Sequence, residues 1–235
     1  MIGGLNGPRL PPANGGKPKK LVILAHGYGS NGDDLIGLAP YFAKAMPDAM
    51  FVAPDAPEAI PGYNGGYQWF PLSRLDPHTT AAGVRASAHH LDKFINSELK
   101  KHELPASACA LVGFSQGTMM SLHVGLRRPE PLGALLGYSG MLAAAEALKD
   151  EIKSRPPVCL VHGDRDEVIP VAALLMAAGA LADAGVGSLW RISRGAGHTI
   201  APDGMELGGQ FLRAALSGRF AGWAPPGPKG SGLAV

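Results

Sequence analysis

Six short apolar runs limit most strongly what this chain can fold into: residues 21–25, 50–53, 109–113, 134–138, 158–162 and 188–193. Most are apolar throughout rather than alternating, which marks strands buried on both faces, as in a parallel sheet. The longer segments between them have helical periodicity. Leu35, Leu38, Phe42 and Met46 recur at helical spacing after Asp33, as do Val84, Ala88, Leu91, Ile95 and Leu99 after Thr80. Segments 117–127, 171–184 and 204–216 read as helices too. Strand and helix in alternation require crossover connections, so an α/β fold with helices on both faces of a mostly parallel sheet is expected. Ligands of such sheets bind beyond the carboxyl ends of the strands, and the chemistry should lie there.

The 235 residues suit one large domain, expected over 19–218, and 46% hydrophobic content supplies its core. Residues 1–18 and 219–235, rich in Gly and Pro, are expected to be a flexible N-terminal arm and a flexible C-terminal tail. A net charge of +2 gives no reason to expect nucleic acid. The cluster Lys17-Pro18-Lys19-Lys20 reads as a solvated lead-in to the first core strand. Cys109 and Cys159 sit inside apolar runs and read as free core residues. No signal peptide and no membrane-length apolar run is visible, so a soluble, cytoplasmic chain without stable membrane insertion is expected.

Gly113-Phe114-Ser115-Gln116-Gly117 joins an apolar run to a probable helix. A bare G-x-S-x-G is weak evidence, but its strand–turn–helix setting is specific: the turn lifts a serine hydroxyl above the sheet at the positive end of a helix. Such a serine needs a base. His198, in the loop after the last apolar run, is the best placed of eight histidines; His26 and His162, at strand ends, are its competitors. The base needs an acid to hold its tautomer, and the segment after residue 162 offers Asp166 or Asp164, which residue chemistry separates poorly. Ser, Asp, His is the chain order of α/β-hydrolases. Oxyanion donors are expected from the backbone N–H of Gln116 and, in the loop His26-Gly27-Tyr28-Gly29-Ser30, of Tyr28.

These stretches, with Gly197-His198-Thr199, run in order from about residue 21 to 216, and the chain resembles the carboxylesterase/phospholipase family of α/β-hydrolases, which includes acyl-protein thioesterases. The resemblance implies a serine hydrolase acting on carboxylic esters or thioesters, with Ser115, Asp166 and His198 catalytic and Tyr28 and Gln116 as oxyanion donors. It implies a small-molecule ester or acylated substrate, no cofactor and no metal, and it allows a homodimer. The loop 57–76 is rich in glycine and aromatics and departs from the family pattern, so substrate preference does not carry over. Trp69 and Phe70 on that loop, with Ile169 beyond the acid, are expected to bind the acyl chain. The stretch 139–157 is too short for a lid domain, and an open site is expected. A non-catalytic binding module on the same fold, or an amide or peptide hydrolase, are the alternative readings.

Overall fold

The computed structural model describes residues 4–72 and 76–220. Its strands are β1 (Arg9–Leu10), β2 (Lys20–Ala25), β3 (Ala49–Val52), β4 (Glu58–Ala59), β5 (Tyr67–Gln68), β6 (Cys109–Phe114), β7 (Ala134–Tyr138), β8 (Val158–Gly163) and β9 (Ser188–Ser193). Its α-helices are α1 (Gly32–Ile36), α2 (Ala39–Ala43), α3 (Pro77–His102), α4 (Gln116–Arg127), α5 (Leu148–Glu151), α6 (Ala172–Asp183) and α7 (Pro202–Leu216). Seven strands form one sheet in the order β1-β3-β2-β6-β7-β8-β9, parallel except for β1. The mostly parallel sheet is the one expected from the apolar runs, and the α/β-hydrolase fold is the one the resemblance implies.

Strand periodicity explains why those runs are unbroken. Leu21, Ile23, Cys109 and Leu111 pack on one face with residues of α3, α4 and α6. Val22, Leu24, Ala110 and Val112 pack on the other with Phe42, Phe211 and Leu212. Successive side chains point to opposite faces, and here both faces are covered. Leu21, Val22, Ile23 and Leu24 are all fully buried.

The single helix expected after Asp33 is broken into α1 and α2. Gly37 caps α1, and Pro40, which has no N–H to donate, is accommodated in the first turn of α2. The segment 139–157 holds only a 3₁₀ turn (Ala145–Ala147) and the one-turn α5, with no added lid domain.

The N-terminal arm is not loose where it is described. Arg9 and Leu10 pair with Val52 and Phe51 at the sheet edge. Arg9 also donates to both carboxylate oxygens of the buried Glu98 on α3, at 2.6 and 3.0 Å. A two-residue strand shows no periodicity, so nothing local in a Gly/Pro-rich stretch signals it. Of the expected C-terminal tail, residues 221–235 lie outside the described residues; Phe220 packs against Phe211 with ring centroids 5.7 Å apart. Cys109 and Cys159 are free and buried on strands separated by β7, and burial pushes both thiols up to about 12. No described helix is long and apolar enough to cross a membrane.

Candidate active site

Ser115 occupies the turn between β6 and α4 with φ 53° and ψ −116°, a conformation that costs on the order of 1–3 kcal/mol and is held by what surrounds it. Its N–H donates to Tyr138 O at 2.9 Å, and its carbonyl accepts from Thr118 N–H at 3.0 Å. The flanking glycines are required by close approach. A Cβ on Gly113 would lie 2.4 Å from Thr118 N, and one on Gly117 would lie 1.9 Å from Ala25 O. Helix α4 therefore starts directly against the end of β2, and the serine is presented at the carboxyl ends of the strands.

His198 sits at the centre of a tight turn in which Thr199 N–H donates to Gly197 O at 2.9 Å. The Ser139 hydroxyl, from the end of β7, donates to Thr199 O at 3.2 Å and anchors that turn. Ser139 itself has φ 46°, a second positive-φ residue at the site. The imidazole Nε2 is 3.0 Å from Ser115 Oγ, and Nδ1 is 2.8 Å from Asp166 Oδ2. With a carboxylate at Nδ1, the proton belongs on Nδ1, and Nε2 is left to accept the serine hydroxyl.

Asp166 is held from its other side by the N–H groups of Val168 and Ile169, which donate to Oδ1 at 2.9 and 2.8 Å. Burial alone would raise its pKa. The Ile169 N–H, the bond and charge of His198 and the Val168 N–H outweigh burial and hold the carboxyl below the usual carboxylate range. Asp164 plays a different part: its Oδ1 accepts from Gly195 N–H at 2.6 Å and ties down the loop that carries His198.

The competing histidines are engaged elsewhere. His26 donates from Nδ1 to Gly27 O at 2.7 Å and accepts Ala56 N–H at Nε2 at 2.9 Å. Burial is the main cause that lowers its pKa. His162 Nε2 lies 2.8 Å from Ile169 O and 3.2 Å from Asp166 Oδ2.

Gln116 is the first residue of α4, and a Cβ on Gly27 would lie 3.3 Å from Ser115 Cβ, so Tyr28 follows directly on a chain that brushes the serine. Among the described residues, neither the Gln116 N–H nor the Tyr28 N–H donates to another protein group.

Trp69, Phe70 and Ile169, expected to bind the acyl chain, are packed into the core rather than exposed on the loops around the site. Trp69 is fully buried, and Phe70 and Ile169 are each 2% exposed. Trp69 N–H donates to Gln116 Oε1 at 2.9 Å, its indole Nε1–H to His26 O at 2.9 Å, and Gln116 Nε2 donates to Phe70 O at 2.8 Å. This segment braces the two backbone stretches beside Ser115 from within the core. Sequence reasoning missed the bracing because it depends on the Gln116 side chain, whose position only the assembled fold reveals. The exposed aromatic and aliphatic side chains of these loops are instead Tyr28, Tyr63 and Val168. No cluster of metal-ligating residues occurs among the described residues.

Residues 12–216 match the phospholipase/carboxylesterase family. The chain belongs to that family. Similar curated family proteins include acyl-protein thioesterase 1 of Saccharomyces cerevisiae, 28% identical over 85% of this chain and 94% of that protein. Esterase YpfH of Escherichia coli is 28% identical, covering 90% of this chain and 89% of that one. Among solved structures, esterase PE8 is 45% identical with a TM-score of 0.87, covering 90% of this chain and 99% of that one.

Proposed function

We propose that this phospholipase/carboxylesterase family member is a serine esterase that cleaves carboxylic esters of short-to-medium acyl chains, or thioesters, through an acyl-enzyme on Ser115. The observation that carries the reading is the unbroken run of contacts from Ser115 Oγ to His198 Nε2 and from His198 Nδ1 to Asp166 Oδ2. His198 takes the serine proton as Oγ attacks the acyl carbon, and Asp166 stabilises the imidazolium. The oxyanion is met by the backbone N–H groups of Tyr28 and Gln116. His198 then returns the proton to the departing alcohol or thiol, and water releases the acid by the same steps reversed. No metal or cofactor enters this scheme. The acyl chain is assigned to the exposed side of the site, where Tyr28, Tyr63 and Val168 offer apolar surface. Thioester cleavage is a favoured second form because relatives at 27–28% identity carry the name acyl-protein thioesterase. A cytoplasmic setting, in keeping with the two unpaired buried thiols, and a homodimer belong to the same reading.

The test is titration with a fluorophosphonate, followed by rates on aryl esters graded by acyl length and on matched oxygen esters and thioesters. One equivalent should label the protein, and Ser115→Ala should abolish labelling and lower turnover by about 10³ or more. Failure of the wild-type protein to label would remove the reading. The rate on a short ester should rise smoothly across its solubility limit, since the 139–157 segment adds no lid domain.

A further inference from the structure

His162 lies beside the proposed acid, and the scheme above gives it no part. It is the penultimate residue of β8, and its side chain is 1% exposed, against 0% for Asp166. Both groups next to its Nε2 are acceptors, the Ile169 carbonyl at 2.8 Å and Asp166 Oδ2 at 3.2 Å. Nε2 must therefore carry the hydrogen. The shorter bond goes to Ile169, the same residue whose N–H donates to Asp166 Oδ1 at 2.8 Å. The backbone of Ile169 is thus gripped at both ends, its N–H by Asp166 and its carbonyl by His162. The positive edge of the His162 ring also lies against the carboxylate oxygen that faces His198 Nδ1. A cavity of about 10 Å³ that His162 lines is walled by Thr118, Leu122, Met141 and Leu174 among others, with no charged residue to draw the ring away.

We propose that His162 is a positioning residue that sets the angle of Asp166 toward His198 by clamping the 166–169 turn through the Ile169 carbonyl. The proposal rests on reading Ser115, His198 and Asp166 as the triad. It needs only a neutral donor placed at the Nε2 position. A glutamine can put its amide N–H there, whereas an asparagine, one methylene shorter, reaches only the Nδ1 position. Two amides of the same chemistry therefore separate the clamp from mere filling of space.

The experiment compares wild type, H162Q and H162N on one aryl ester, with melting temperature and fluorophosphonate labelling measured in parallel. H162Q should keep kcat within about threefold. H162N should lose about tenfold or more in kcat at unchanged KM, since a misplaced catalytic group costs rate rather than substrate affinity and a shift of about 1 Å can cost on the order of 10². If H162N does not fold, H162L serves as the variant without a donor. Equal kcat in the folded glutamine and donor-lacking variants, or a loss in H162N that appears in KM, would overturn the proposal. A wild-type protein that does not label would sink the triad reading instead, so the two failures are distinct.

Discussion

Asp164 and Asp166 are two positions apart on one loop and carry the same functional group, yet they face different partners. Asp164 accepts the Gly195 N–H, and Asp166 faces His198. Under the proposed mechanism Asp166→Asn should lower kcat by about 10⁴, because an amide at this position favours the wrong imidazole tautomer. Asp164→Asn should cost far less, since an amide oxygen still accepts the loop N–H. Steady-state kinetics of the two folded variants check the ranking, and the opposite order would reassign the acid. Trp69 gives a second residue-scale prediction, opposite to what its loop position implies. It is fully buried and donates two hydrogen bonds. Trp69→Ala should destabilise the fold by about 3–5 kcal/mol, read from denaturant midpoints, with activity falling as the indole's bond to His26 O, beside the Tyr28 loop, is lost. If acyl-length preference changed while stability stayed at wild type, Trp69 would belong in the acyl site.

Between β6 and α4, backbone meets backbone. Gly117 is the second residue of α4, and its Cα touches the end of β2 so closely that a methyl group would sit 1.9 Å from Ala25 O. Gly117→Ala should push α4 off β2 and carry Ser115 with it. Both melting temperature and fluorophosphonate labelling rate should fall, the latter by about 10² or more. An alanine variant with wild-type labelling would mean that the turn relaxes without moving the serine. This contact was legible as a glycine in a motif, but its partner, a carbonyl on a strand some ninety residues earlier, was not.

For the molecule as a whole, acid stability should depend on His123, which lies buried on α4 with no partner for its Nδ1 among the described residues. Burial, then the charges of Arg127 and Arg85, lower its pKa to about 4. An unfolded histidine titrates near about 6.5, so as pH falls below that value the unfolded chain binds the proton first and the fold loses stability. The loss grows until about pH 4, where the folded state also takes the proton, and amounts to on the order of 3 kcal/mol. Asp166, with its pKa held low, works in another window: its contribution is present at neutral pH and disappears only as pH falls through its lowered value. Thermal melts from pH 7 to 4.5 should show a shallower decline for His123→Met than for wild type. Parallel curves would place the acid sensitivity in another group.

The order of strands and helices, the parallel sheet buried on both faces and the strand–turn–helix setting of Ser115 followed from the sequence alone. Each rests on local periodicity or on steric demands within a few residues. The resemblance added Asp166 over Asp164. Only the tertiary structure decided that Arg9 and Leu10 join the sheet, that the helix after Asp33 breaks in two, and that Trp69 and Phe70 face inward. It also brought His162 against the carboxylate that faces His198. Those outcomes hang on contacts between residues distant in the chain: Arg9 with Glu98, Trp69 with Gln116, His198 with Ser115. A side chain's partner across the fold leaves no periodic trace in the sequence, because it is selected by the geometry that all the elements reach together.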